Sequence, residues 1–490
     1  MNVLLINPSV GYYNRALFNP LGLVSIGSHL KRIGNNVKLV DRNVEKTNVA
    51  KLLDEFNPEI VGVSLMSSRG LRDALRISKI AHNKGIPVAW GGAMPSMQIE
   101  ECLDSEYVDY VMFSEGEFTF EELLDVVRGK RDASTVQSLS YKDENGEHHI
   151  DTSRPFADLK DMPISDFSLI DVEKYMQEYL GCQKMMYLYS SKGCPCNCAF
   201  CTNECFHRRQ HRKRPNEYVI EEIKYLVDNY GLDGVYFSDE LWVTKKSDAI
   251  DFCNRLKEND LHIHFGIQCR IGLFTKEDFQ MLYDAGCRWA LFGIETGSRS
   301  MMDKISKNIN YDRIVPTFKE LNEVGITTVA SFIVGYPGES VEEVKETVAL
   351  LEKVTANLTP VFHFTPLPGT RLYNEVVESG QYKPLKSLKE LSGFVATQNL
   401  GQNLSNVPSR DLKVIHYCYN WKAFRKSDAI QNDKPFIFAI QTIKNGLHAI
   451  SQKGPLFFLL DGFRAFKEFS LTFWYSHAFP RINKKYNIKL

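Results

Sequence analysis

An excess of one charge sign is missing. The 490 residues carry 59 Lys and Arg against 60 Asp and Glu, a formal net charge of −1. No global field therefore draws the chain to a polyanion, and no nucleic-acid partner is expected. No uninterrupted apolar run reaches the roughly 20 residues of a membrane-spanning helix. The opening stretch, MNVLLINPSVGYYN, has no basic segment ahead of its strand-sized apolar run, so no signal peptide is expected. Repeats of solenoid period and low-complexity tracts are also missing. The eleven cysteines are odd in number and clustered, which argues against a disulfide framework. A cytoplasmic protein with reduced thiols is the expectation.

What is present is an alternation of apolar runs and amphipathic stretches. NVLLINP, NVKLVDRN, EIVGVSLMSS, IPVAWGGAMP and YVDYVMFSEGE read as strands, with helical stretches between them. That spacing predicts a doubly wound, flavodoxin-like parallel sheet over residues 1–135. Ligands of such sheets bind at the carboxyl ends of the strands. Those ends carry Asn7-Pro8-Ser9, Asp41, Ser64 to Ser68, Gly91-Gly92-Ala93 and Glu115-Gly116-Glu117. Residues 136–180 read as a short hairpin followed by a proline-containing linker. Alternation then resumes over 181–380 with six strand–helix units, which predicts a partial βα TIM-type barrel with its chemistry at the C-terminal strand ends. Residues 381–490 read as mainly helical. From 401 onward they hold 14 Lys and Arg against 5 Asp and Glu, with many aromatics. A helical cap or a surface for an apolar or anionic partner fits this composition, and peripheral membrane contact is one form of the latter.

The densest chemical signal is SSKGCPCNCAFCTNECF, residues 190–206. Cys194, Cys198 and Cys201 form C-x3-C-x2-C in a loop after the strand MMYLYSS. Three thiolates from one short loop can bind three irons of a [4Fe–4S] cluster and leave the fourth open, whereas electron-carrying clusters usually have four protein ligands. A zinc knot of Cys198, Cys201, Cys205 and His207 is the competing reading. Cys196 lies between two ligands and is expected to point away as a spare thiol, and Cys205 is expected to be a passenger.

This loop, at the end of a barrel's first strand, resembles the radical S-adenosylmethionine (SAM) enzymes. Later strand ends resemble the same superfamily in order. GVYFSDELW implies Asp239 and Glu240 near the SAM amino group. FGIQCRIGLF implies Gln268 or Arg270 facing its carboxylate. FGIETGS implies Glu295 near the ribose. FIVGYPGES implies Ile333 and Gly335 beside the adenine, with Glu339 closing the turn. The chemistry is apt: carboxylates suit ammonium groups and ribose hydroxyls, and a guanidinium suits a carboxylate.

The preceding domain resembles the cobalamin-binding domain of the cobalamin-dependent radical SAM subfamily, through GVSLMSS, VAWGGAMPS and DYVMFSEGEFTFEELL. That resemblance implies cobalamin held by Ser64, Ser67, Ser68, Gly91, Gly92 and Glu115. The D-x-H-x-x-G motif, whose histidine ligates cobalt in the methyltransferases that have it, does not occur in the sequence, so no cobalt ligand can be named. The resemblance implies reductive cleavage of SAM to a 5′-deoxyadenosyl radical, hydrogen abstraction from an unactivated carbon, and C-methylation from methylcobalamin. Oxidative cyclisation or rearrangement, as in the anaerobic porphyrin-ring cyclases, is the alternative with the same cofactors, and a non-enzymatic metal-binding or sensor protein is a remote one. Partners implied are a small-molecule substrate, with a lipid or other apolar compound as the finer reading, and an electron donor such as flavodoxin or ferredoxin. No residue is named as catalytic.

Overall fold

The computed structural model describes residues 1–10, 18–45, 47–179, 181–393, 402–431, 471, 474–475 and 478–488. They form two units.

The first unit is Met1–Met176 with Cys205–Arg208 and Pro384–Val395. Its sheet runs through β1 (Asn2–Asn7), β2 (Asn36–Asp41), β3 (Ile60–Ser64), β4 (Val88–Gly91) and β5 (Tyr110–Met112), all parallel, in the order β2-β1-β3-β4-β5. Val3, Leu4, Leu5 and Ile6 of β1 are wholly buried because helices cover both faces. Leu52, Leu53, Ala74 and Ile77 pack on one face, and Leu23, Leu30, Phe120 and Leu123 on the other. The strand order reverses between β1 and β3, the position at which such sheets bind ligands.

The expected hairpin is real, but it is not a detached link. β6 (Leu139–Lys142) pairs antiparallel with β5, and β7 (His148–His149) with β6, so the hairpin extends the sheet. The stretch that follows is pinned to this unit as well. Ser28 Oγ donates to nothing beyond its own helix yet accepts from Asp166 N at 2.8 Å, and Tyr175 Oη donates to Asp41 Oδ2 at 2.9 Å. Asp41 is thus a structural acceptor. Leu391 also joins this core, with Leu385 and Leu388 against it.

The second unit takes in Gln177–Glu204, Arg209–Lys383 and the described residues from 402 onward. Six parallel strands, β9 (Cys182–Leu188), β12 (Gly234–Phe237), β13 (His264–Cys269), β14 (Cys287–Glu295), β15 (Thr327–Val334) and β16 (Val361–His363), stand in sequence order. β8 (Gln177–Tyr179) closes the edge beside β9, antiparallel. A full TIM barrel has eight strands, so this is a partial barrel. A two-stranded ribbon, β10 (Ser191–Lys192) with β11 (Arg212–Lys213), brackets the cysteine loop.

Side-chain alternation divides this sheet cleanly. Phe237 and Phe265 meet Phe252 of the helix Lys246–Glu258, each with ring centroids 5.5 Å apart, and Phe292 meets Phe318 of the helix Ile314–Val324 at 5.4 Å. These residues point to the helical exterior. Tyr236 and Trp289 point the other way and stack on each other at 6.2 Å. Gly266 lies between them in register, where a Cβ would fall 1.6 Å from the indole nitrogen. Only glycine lets Trp289 cross the strand there.

The described C-terminal elements are the helices Ser409–Gln431 and Pro480–Tyr486. Most of the basic, aromatic stretch singled out in the sequence lies outside the described residues. Among those described, no helix is long and apolar enough to cross a membrane.

Candidate functional site

The cysteine loop leaves the end of β9 and is held by its own backbone. Arg214 N donates to Ser190 O at 2.8 Å. The Arg214 guanidinium is buried against Glu222, Nη2 to Oε1 at 2.6 Å and Nη1 to Oε2 at 2.9 Å, and Nη1 also donates to Tyr189 O at 2.9 Å. Asn203 brackets Cys194: its Oδ1 accepts from Cys194 N at 2.8 Å, and its Nδ2 donates to Cys194 O. Ala199 is buried, donates to Ile305 O at 2.9 Å and accepts from Leu372 N at 3.0 Å. Cys194, Cys198 and Cys201 therefore start from fixed backbone positions, each free and half-buried. Burial raises the Cys198 and Cys201 thiols, the latter to about 11, so thiolate ligation there must displace protons.

The strand ends gather around this loop, though not all as expected. Asp239 is 1% exposed and faces the underside of the loop. Its Oδ1 accepts from Ser190 N at 2.8 Å and its Oδ2 from Ser190 Oγ at 2.6 Å, and Lys213 Nζ donates to the same Oγ at 2.7 Å. Burial raises Asp239 to about 6 against the pull of Lys213, and burial lowers Lys213 to about 8 against the pull of Asp239. Asp239 is thus buried behind the loop rather than poised for an external ammonium group. Its neighbour Glu240 is exposed and accepts from Gly193 N at 2.9 Å.

The expectations for Cys196 and Arg270 both change. Cys196 does not point away. Arg270 Nη1 donates to its Sγ at 2.6 Å, and Arg270 Nη2 donates to Lys307 O and Asn308 O, each at 2.5 Å. The Cys194 thiol and then Arg270 and Lys307 hold the Cys196 pKa down to about 6, against its burial. Arg270 thus ties the cysteine loop to the 307–308 segment. At the end of β14, Glu295 adopts φ +72° and its Oε1 accepts from Lys307 Nζ at 3.1 Å. This carboxylate turns back over Gly293, where a Cβ would lie 2.1 Å from it. Burial opposes the Lys307 charge, but Glu295 and Cys198 outweigh it and raise the pKa.

Gln268 and Ile333 are half-buried on the inner face of the sheet. After β15, Gly335 takes φ +86°, and Glu339 closes the turn by accepting from Gly335 N at 2.6 Å and Tyr336 N at 3.2 Å. Burial lifts Glu339 to about 8 against those bonds. Glu339 Oε1 and Tyr336 Oη are buried without a hydrogen-bond partner among the described residues. This is a polar lining without a protein counterpart at the strand end expected to meet an adenine.

The first unit has its own cavity, a small, narrow slot at the carboxyl edge of β3, β4 and β5. Leu5, Ile26 and Phe120 wall it, and Ser64, Gly91 and Gly92 border it. Glycine keeps it open. A Cβ on Gly62 would lie 2.7 Å from Phe120, and one on Gly116 2.8 Å from Ile26. Gly92 takes φ +96°, and its Cβ would strike Leu65 O at 2.7 Å. The slot is narrow and apolar, with the Ser64 hydroxyl at its border. Ser67 is exposed, Ser68 is buried, and Glu115 is half-buried at the same edge.

Sequence reasoning missed Asn203, Lys213, the Arg214–Glu222 pair and Lys307. None has a periodic or spacing signal. Only Asn203 could have been suspected, as an amide two residues beyond the last cysteine of the triad.

Three loop thiols at the mouth of a partial βα barrel define a radical SAM enzyme. The Radical SAM superfamily pattern matches residues 188–351, and the B12 binding domain pattern matches 15–124. Uncharacterized methyltransferase PH0819 of Pyrococcus horikoshii is 30% identical over 397 residues, 77% of this chain and 84% of that protein. An anaerobic magnesium-protoporphyrin IX monomethyl ester cyclase of Rubrivivax gelatinosus is 25% identical over 392 residues, 77% and 70% of the two chains. Among solved structures, the cobalamin-dependent SAM radical enzyme OxsB, with aqua-cobalamin and SAM bound, aligns with a TM-score of 0.64 at 20% identity. That alignment covers 78% of this chain and 55% of OxsB, so the chain spans about half the length of that enzyme. The chain belongs to the cobalamin-dependent radical SAM family, whose cofactors are a [4Fe–4S] cluster, SAM and cobalamin.

Proposed function

We propose that this enzyme C-methylates an unactivated carbon of a neutral, largely apolar small molecule. Cys194, Cys198 and Cys201 hold the cluster, with residues 181–380 as the barrel. Glu240, Gln268, Glu295, Ile333 and Gly335 receive SAM. Arg270 acts on the cluster loop, and Asp239 supports that loop from behind. Ser64, Ser67, Ser68, Gly91, Gly92 and Glu115 border the cobalamin site within residues 1–135. When bound, these cofactors supply the electron, the carbon-centred radical and the methyl group, and the protein contributes binding, orientation and exclusion of water.

The observation that carries the substrate class is the inner wall of the barrel. Its half-buried inward positions, Gln268, Leu291, Val329, Ser331, Ile333 and Phe362, bear no formal charge. The nearby charges of Arg270, Glu295 and Lys307 are engaged with the cysteine loop or with one another. A charged substrate would lose its hydration on this wall without a counter-charge in return. An apolar substrate also accords with the basic, aromatic C-terminal stretch, through which the chain would touch a membrane peripherally. A low-potential donor such as flavodoxin or ferredoxin and a cytoplasmic setting, where thiols stay reduced, complete the reading.

The test is anaerobic turnover with SAM carrying a deuterated methyl group. A product that gains the labelled methyl supports methylation. A product oxidised or cyclised without label, formed alongside 5′-deoxyadenosine, would replace it with the cyclase reading.

A further inference from the structure

Tyr336 is wholly buried two residues beyond the end of β15, and its hydroxyl has no hydrogen-bond partner among the described residues. Its backbone is fixed on both sides. Tyr336 N donates to Glu339 Oε2 at 3.2 Å, and Glu339 N donates to Tyr336 O at 2.9 Å. The ring meets Phe200 of the cysteine loop and Phe364, with centroids 5.9 Å and 5.4 Å away, in one core with Ala199. Phenylalanine would fill this aromatic cage without the cost of burying an unsatisfied hydroxyl. The hydroxyl therefore calls for an acceptor that forms after folding.

The Cys198 sulfur is such an acceptor. Cys198 directly precedes Ala199 and Phe200, and a charge on it acts on the Tyr336 phenol. Binding iron turns the thiol into a thiolate, which accepts more strongly. The other two sulfurs of the triad already have donors: the backbone of Cys196 bonds to Cys194, and that of Asn203 to Cys201. On Cys198 the main influences are burial and the charges around it, Lys307 first. Of the other anions near the phenol, Glu295 is engaged by Lys307 at 3.1 Å, and Glu339 by the N–H groups of Gly335 and Tyr336.

We propose that the Tyr336 hydroxyl donates a hydrogen bond to the cluster ligand Cys198 and thereby raises the reduction potential of the cluster. An added electron increases the negative charge on the cluster sulfurs, so a donor to one of them favours the reduced form. The proposal rests on the cluster assignment above, and the test separates the two. The full chain is reconstituted anaerobically and titrated without SAM, in wild type and Tyr336→Phe, reading the electron paramagnetic resonance signal of the reduced cluster. A wild type that assembles no [4Fe–4S] cluster overturns the cluster assignment itself, and the proposal with it. With cluster in both proteins, the ratio of reduced to oxidised cluster at the wild-type midpoint should be about tenfold lower in Tyr336→Phe, about 59 mV for one electron. An unchanged or higher midpoint overturns the proposal. The apoprotein of Tyr336→Phe should melt no lower than that of the wild type, because the hydroxyl has no partner until the cluster is in place. A lower melting temperature would reveal a protein partner and overturn the proposal. If that apoprotein melts no lower yet holds no cluster, the proposal is supported, because the two proteins differ only in the hydroxyl.

Discussion

Asn203 grips the peptide of Cys194 from both sides, accepting from its N–H at 2.8 Å and donating to its carbonyl. The first cysteine of the triad is thereby tied to the residue two positions beyond the last. The loop is a closed ring of backbone before any thiol is used, which is the supporting order that a metal site needs.

Asn203→Ala removes both bonds, each worth about 1 kcal/mol net. Iron should then leave the reconstituted protein to a chelator roughly 30-fold faster. Asn203→Asp keeps the acceptor but loses the donor, and should fall between. Chelation kinetics followed by absorbance read this directly, and wild-type kinetics in Asn203→Ala would show that the ring does not hold the cluster.

The slot in the first unit depends on missing side chains. Gly62→Val places methyl groups where even a Cβ meets Phe120 at 2.7 Å and Leu5 at 2.9 Å. Corrinoid retained after gel filtration should fall about tenfold or more, with iron content unchanged. Equal loss of both would indicate general misfolding instead.

His363 and His416 stack with ring centroids 4.5 Å apart at the outer side of β16, and His363 Nδ1 is buried without a partner among the described residues. Burial, with His416 and Lys413 adding to it, pushes the His363 pKa down to about 2. Its folded pKa thus lies below the ordinary histidine value near 6.5. The unfolded chain binds the extra proton between those limits, so stability is full above about pH 6.5 and falls as pH drops, by about 1.4 kcal/mol per pH unit for one proton. The melting temperature should fall between pH 7.5 and 5.5, and less steeply in His363→Leu. Identical slopes in the two proteins would remove His363 as the cause.

Much of this was readable from the chain. The cluster triad is local, so its spacing carries its chemistry, and alternating strands and helices announce both sheets. What could not be read depends on direction and tertiary contact. Asp239 and Glu240 are adjacent at a strand end, and sequence cannot say which turns under the loop and which stays exposed. Arg270 was recognisable as a strand-end cation, but its partners Cys196, Lys307 and Asn308 arrive from distant segments. Cys196 reads as a spare thiol in the sequence because nothing in C-P-C-N-C shows a guanidinium arriving from the end of another strand. The hairpin 139–149 looked like a boundary because short strands beside a linker do not reveal that a sheet edge captures them.

The central claim is that Cys194, Cys198 and Cys201, and not Cys196, form the metal-binding set that lets SAM be cleaved. The most direct measurement is 5′-deoxyadenosine formed from SAM by the anaerobically reconstituted, chemically reduced chain, in wild type and in four single Cys→Ala variants. Product is expected from the wild type and from Cys196→Ala, and background levels from Cys194→Ala, Cys198→Ala and Cys201→Ala. Retained turnover in any of those three, or none in the wild type, would contradict it.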